Sequence, residues 1–160
     1  GAVAFQDNRP DNCDPSLVKD CIFKHNNASG TGGAINVNTL FTTLLVHTTV
    51  IHFNYADDSG GGLSGSNDAI VTVEDSVIAN NAARNNGGGV HVTATSLTVH
   101  NSSVVDSVAG TTGGGISLTG ETTSGEFYST TFDSCNASQF GGAVSRFGGA
   151  SRFGVASRFG

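Results

Sequence analysis

The residues able to do chemistry in this chain are few, and only four of the carboxylates come in pairs. Carboxylates stand at Asp57-Asp58, Glu74-Asp75, Asp106 and Asp133, imidazoles at His25, His47, His52, His91 and His100, and thiols at Cys13, Cys21 and Cys135. Paired carboxylates on neighbouring elements are what glycoside hydrolysis needs, and a carboxylate cluster beside a cation is what calcium-assisted polysaccharide cleavage needs. Positive charge to complete such a site is scarce, since before the C-terminal segment only Arg9, Lys19, Lys24 and Arg84 carry it. The histidines and cysteines lack the spacing of a zinc site, so no metal and no cofactor are expected. The Gly-Gly segments lack the Gly-Lys-Ser/Thr of a phosphate loop. The reading is therefore no catalytic residue, with polysaccharide lyase or hydrolase activity as the less favoured alternative.

What positions these residues is a repeat. Gly-Gly followed closely by an aliphatic recurs at Gly32-Gly33-Ala34-Ile35, Gly61-Gly62-Leu63, Gly88-Gly89-Val90, Gly114-Gly115-Ile116 and Gly141-Gly142-Ala143-Val144. The aliphatics Ile35, Leu63, Val90, Ile116 and Val144 lie 26 to 28 residues apart. Upstream, Ala28, Ala56, Ala82, Ala109 and Ala137 precede them by seven residues, or by eight in the third copy. Five residues before each Ala stands a large apolar residue (Phe23, Ile51, Val77, Val104, Phe132), and two before it a small polar one (Asn26, Asn54, Asn80, Ser107, Cys135). On this alignment Asp20 and Glu74 share one repeat position, with Thr48 between them.

A period in this range signals a solenoid. Alternation at Ile35-Asn36-Val37, Val90-His91-Val92, Leu97-Thr98-Val99 and Ile116-Ser117-Leu118 is that of half-buried strands. Three short strands in about 27 residues bury nothing alone but bury a core when coiled and stacked. The expected fold is all-β: a right-handed parallel β-helix of five to six turns, three short strands per turn. The two apolar series above form its interior ladders, with an Ala ladder at a tight corner and a hydrogen-bonded Asn/Ser column beside it. The composition agrees, with 23 glycines, 12% charged residues and neither Met nor Trp. A net charge of −6 leaves no basic face for nucleic acid, and no apolar run is long enough for a membrane-spanning helix.

Phe23-Lys24-His25-Asn26 together with Gly32-Gly33-Ala34-Ile35 resembles the FxxN and GGA[ILV] motifs of polymorphic outer membrane protein-type β-helix repeats. Ile51-His52-Phe53-Asn54 and Val77-Ile78-Ala79-Asn80 match with an aliphatic for Phe, whereas the fourth and fifth copies depart at Ser107 and Cys135. The resemblance covers roughly residues 1–146 and implies a surface-exposed, adhesive passenger domain. The expected function is an extracellular structural or adhesive module of a cell-surface rod, fibre or filament, built by head-to-tail self-association and contacting glycans or other cell-surface ligands. The alternative is a carbohydrate-binding or carbohydrate-cleaving β-helix.

Residues 4–20, with Pro10, Pro15, Asp7, Asp11 and Asp14, read as a protruding loop. In an oxidising compartment Cys13 and Cys21 close it as a disulfide, while Cys135, four turns away at roughly 19 Å by strand spacing, is out of reach. Asn27, Asn101 and Asn136 head Asn-x-Ser patterns and are candidate glycan sites; Asn27 and Asn136 share a repeat position. The Thr pairs share no single repeat position, so no regular Thr face for ice is expected. Residues 147–160 continue a Ser-Arg-Phe-Gly repeat of six residues, which resembles a left-handed β-helix hexapeptide and is read as a separate capping or intersubunit segment. A start at Gly1 without Met suggests a processed product or a piece of something longer.

Overall fold

The computed structural model describes residues 2–5 and 15–147 and, as backbone, 150–153 and 158–159. Among these there is no helix, and the chain coils into a parallel β-solenoid of about five turns. Each turn crosses three principal sheets. Sheet A holds Val3–Phe5, Ile35–Asn38, Leu63–Ser66, Val90–Thr93, Ile116–Thr119 and Val144–Phe147. Sheet B holds Ser16–Lys19, Thr43–His47, Ile70–Glu74, Ser96–His100, Ser124–Tyr128 and Ala150–Phe153. Sheet C holds Ile22–Lys24, Val50–His52, Val77–Ala79, Ser103–Val105, Thr131–Asp133 and Arg158–Phe159. A narrow sheet D is made of two-residue strands from Asn27–Ala28 to Asn136–Ala137.

Alternation along each strand sends every second side chain inward, and parallel register stacks these into columns. Ile35, Leu63, Val90 and Ile116 form one fully buried column, with Val144 half-buried at its end. On sheet B, Val18, Val46, Val73, Val99 and Phe127 form another. Phe127 lies edge-on to Phe132 at 5.5 Å between ring centroids, an arrangement aromatic quadrupoles favour. Room for Phe127 comes from Gly125 beside it: a Cβ there would lie 2.6 Å from Leu118 Cδ1.

The column on sheet C corrects one expectation. Phe23, Ile51, Val104 and Phe132 belong to it, but its third member is Ile78, not Val77. Val77 faces outward, pairs with Val50 and Ser103, and is 38% exposed. The same one-residue shift puts Ala83 in the Ala ladder in place of Ala82 and Asn81 in the polar column in place of Asn80. With Ile78, Asn81 and Ala83 in place, the third turn regains the seven-residue distance from Ala to aliphatic that every other turn keeps. Asp20 accordingly aligns with Thr48 and Asp75, while Glu74 aligns with Lys19 and His47.

The sheets run on through residue 147. Val144–Phe147 pairs with Ile116–Thr119, Ala150–Phe153 with Ser124–Phe127, and Arg158–Phe159 with Thr131–Phe132. Successive Arg-Phe copies of the six-residue repeat thus land on successive sheets.

Two kinds of corner hold the turns together. At the first, Gly32, Gly60, Gly87, Gly113 and Gly141 take φ between 60° and 69°, a region closed to most side chains. The glycine that follows each of the first four lies against the next turn; a Cβ on Gly33, Gly61, Gly88 or Gly114 would collide with backbone carbonyls there. At the second kind, a left-handed residue precedes an inward polar one. His25, Phe53, Asn80, Asp106 and Ser134 have φ of 49° to 56°, and Asn26, Asn54, Asn81, Ser107 and Cys135 follow them. Asn54 Oδ1 accepts from the backbone N–H and side-chain amide of Asn26 (3.0 and 2.8 Å), and Asn54 donates to the carbonyls of Phe23 and His52. Between sheets B and C the construction repeats with hydroxyls: Thr49, Ser76, Ser102 and Thr130 each donate to the carbonyl two residues back. Cys21 occupies the first place of that column. Backbone groups at these bends therefore find partners inside the wall, as buried polar groups must.

Candidate functional site

Glu74 and Asp75, one of the acidic pairs, sit at the corner between sheets B and C. The outward column there runs Lys19, His47, Glu74, His100, Tyr128. His47 Nδ1 lies 3.8 Å from Glu74 Oε2 and 3.6 Å from Asp75 Oδ2, a weak ion pair when the imidazole is protonated. Asn101 donates to the Asp75 carboxylate, and Tyr128 Oη to Glu126 at 3.1 Å. No group of three or more His, Cys, Asp or Glu among the described residues has the geometry to hold a metal ion.

The other acidic residues are dispersed. Asp57 accepts from Tyr55 Oη at 3.2 Å, and Asp58 from the Asn85 amide at 2.8 Å and the Ser59 hydroxyl at 3.2 Å. Asp106 and Asp133 occupy different columns on adjacent turns and flank Cys135. Burial pushes the Cys135 thiol above its ordinary range, and the two carboxylates push the same way, which leaves a protonated, weakly nucleophilic sulfur. Its Sγ donates to the Val104 carbonyl. Cys21 is half-buried and donates to the Lys19 carbonyl. Cys13, its expected partner, lies outside the described residues, as do Asp7, Pro10, Asp11 and Asp14, while the ends of the expected 4–20 loop are strands, Val3–Phe5 of sheet A and Ser16–Lys19 of sheet B.

Among the described residues His91 is the most perturbed titratable group. It lies on the outer side of sheet A beneath the Gly corner, where burial pushes its imidazole from 6.5 down to about 4 against the opposing pull of Asp58. Its Nε2 is 3.0 Å from Thr93 Oγ1, which is 2.7 Å from Thr119 Oγ1, while its Nδ1 is buried without a hydrogen-bond partner. The imidazole is thus held neutral.

The sequon asparagines Asn27, Asn101 and Asn136 are all exposed. Asn27 and Asn136 stand in one outward column of sheet D, with Tyr55, Ala82 and Val108 between them.

The feature sequence reasoning missed is aromatic. At the corner between sheets C and D, His25 and Phe53 occupy equivalent places on adjacent turns and stack at 5.5 Å, with an interplanar angle of 7°. His52 leans on Phe53 at 5.1 Å and lies 6.5 Å from His25. Phe53 is 50% exposed at a φ of 54°. The available signal was a Phe at the repeat position where later copies carry Asn80, Asp106 and Ser134. Such a surface presents ring faces and imidazole N–H donors to solvent, a chemistry suited to holding a ligand.

Comparison with known protein families, curated proteins and solved structures gives no match to this chain.

Proposed function

We propose that this chain is an extracellular structural or adhesive β-solenoid module that works by shape, as part of a cell-surface rod, fibre or filament assembled by stacking. The observation that supports this best is the constancy of the cross-section: sheets A, B and C keep one parallel register through six strands each. A surface of that kind offers a long, repetitive wall rather than a single enclosed site. The FxxN and GGA[ILV] likeness to polymorphic outer membrane protein-type repeats points the same way, towards a surface-exposed adhesive passenger. Exposed Asn27, Asn101 and Asn136 are compatible with glycan attachment in a secreting eukaryote, and a Cys13–Cys21 bridge with an oxidising compartment.

Electron microscopy and concentration-dependent sedimentation of the purified chain test the reading. Filaments or axial oligomers are the expected result; a monomer at all concentrations removes the assembly part. Intact mass before and after glycosidase treatment of natural material tests glycosylation and secretion together. A second reading, a carbohydrate-binding or polysaccharide-cleaving β-helix, is favoured by the exposed rings of His25, His52 and Phe53. Release of oligosaccharides from an acidic polysaccharide would establish its catalytic form.

A further inference from the structure

A left-handed φ suits Asn, Asp and Gly and is uncommon for bulky side chains. Among the described non-glycine residues with positive φ, only Phe41 and Phe53 carry a large apolar side chain. At Phe53 the chain bears this backbone cost and leaves half the ring in water, where the equivalent positions hold His25, Asn80, Asp106 and Ser134. Neither choice serves the core, and strain of this kind concentrates at ligand contacts. His25 covers one side of the Phe53 ring from the preceding turn. On the following turn the equivalent residue is the small, exposed Asn80, and Phe53 itself stays 50% exposed.

We propose that the Phe53 corner is a glycan-binding subsite, taking one pyranose ring of an acidic polysaccharide. The sugar's C–H face packs on the exposed, electron-rich ring of Phe53. Asn80 is placed to bond its hydroxyls from below. His52 and His25 supply N–H donors at the rim, and exposed Lys24, in register with His52, meets the carboxylate or sulfate. A protein partner fits less well, because a stable interface needs about 800 Å² on each side. Along this corner only one phenyl ring is available, and the following turns place polar Asn80 and Asp106 there. This inference deepens the adhesive reading above by naming its contact.

The test uses the full chain and three probes: polygalacturonate, which offers carboxylates, chondroitin sulfate, which adds sulfate esters, and neutral dextran. Titration calorimetry is expected to show salt-sensitive binding to at least one acidic polymer, and whichever binds identifies the anion. Phe53→Asn is the decisive variant, because Asn suits the left-handed backbone and already stands at this corner on the following turn. It should melt no lower than wild type yet bind at least tenfold more weakly, and Lys24→Gln should weaken binding about threefold. Wild-type affinity in Phe53→Asn, equal binding to dextran, or binding to none of the three overturns the subsite. Micrographs of the same samples separate the two readings: filaments without glycan binding remove the subsite alone, and binding without filaments removes only the assembly.

Discussion

The Gly corner and the Asn corner bend the same chain by opposite means. At the Gly corner the turn works because side chains are missing: one glycine supplies a positive φ and the next lets a neighbouring turn's carbonyls come close. At the Asn corner it works because a side chain is present, with Asn54 and Asn81 bonding to the turn before them. The first corner tolerates no added atom, whereas the second tolerates Asn, Ser or Cys so long as something polar points inward. A solenoid wall can thus vary at one edge only if it is fixed at another.

Substitutions test that contrast most sharply at the Gly corner. Gly88→Ala places a methyl against the carbonyls of Gly114 and Val108 and should cost roughly 4 kcal/mol or more, read as lost cooperative unfolding in urea. Gly30→Ala, with open space around it, should stay within about 0.5 kcal/mol. Next comes the register of the third turn at the Asn corner. Ile78→Ala should cost about 3 kcal/mol by emptying a fully buried site, and Val77→Ala under about 0.5; equal losses would contradict the shifted alignment. Asn54→Ala strips the Asn26 N–H of its acceptor and the Phe23 and His52 carbonyls of a donor. About 2 kcal/mol should go, with Asn54→Ser recovering part of it in the same melt.

The last effect, no larger than the one before it, is a pH dependence under the Gly corner. The unfolded His91 imidazole titrates near 6.5 and the folded one near 4, so between those values the unfolded chain binds more protons. Stability is therefore complete above about pH 6.5 and falls as pH drops towards 4. The loss is about 2 kcal/mol once partial exposure is allowed for. His91→Gln should flatten that slope in thermal melts taken at pH 7 and pH 4.5; an unchanged slope assigns it elsewhere.

Most of the architecture was legible because glycine pairs and aliphatics mark every turn with residue types that nothing else replaces. The third turn was misread by one place because its landmarks are doubled: Val77-Ile78, Asn80-Asn81 and Ala82-Ala83 each offer two residues of one kind. Only the eight-residue distance to Val90 betrayed the slip. The hydroxyl column of Thr49, Ser76, Ser102 and Thr130 escaped notice because Ser and Thr are common throughout the chain, so four more carry no contrast. The aromatic corner was invisible for a different reason. His25 and Phe53 lie 28 residues apart and look like ordinary members of their own repeats until the register brings them together.

The stacking of every turn on its neighbours alone has a mechanical consequence. Hydrogen bonds between strands run along the long axis, so a pull along that axis loads the turns in series and opens them one at a time. A pull across the axis meets the bonds of a whole sheet in parallel and is resisted by all of them at once. Such an object is stiff against sideways drag and yields lengthwise in steps of one coil, each step releasing about 27 residues of slack.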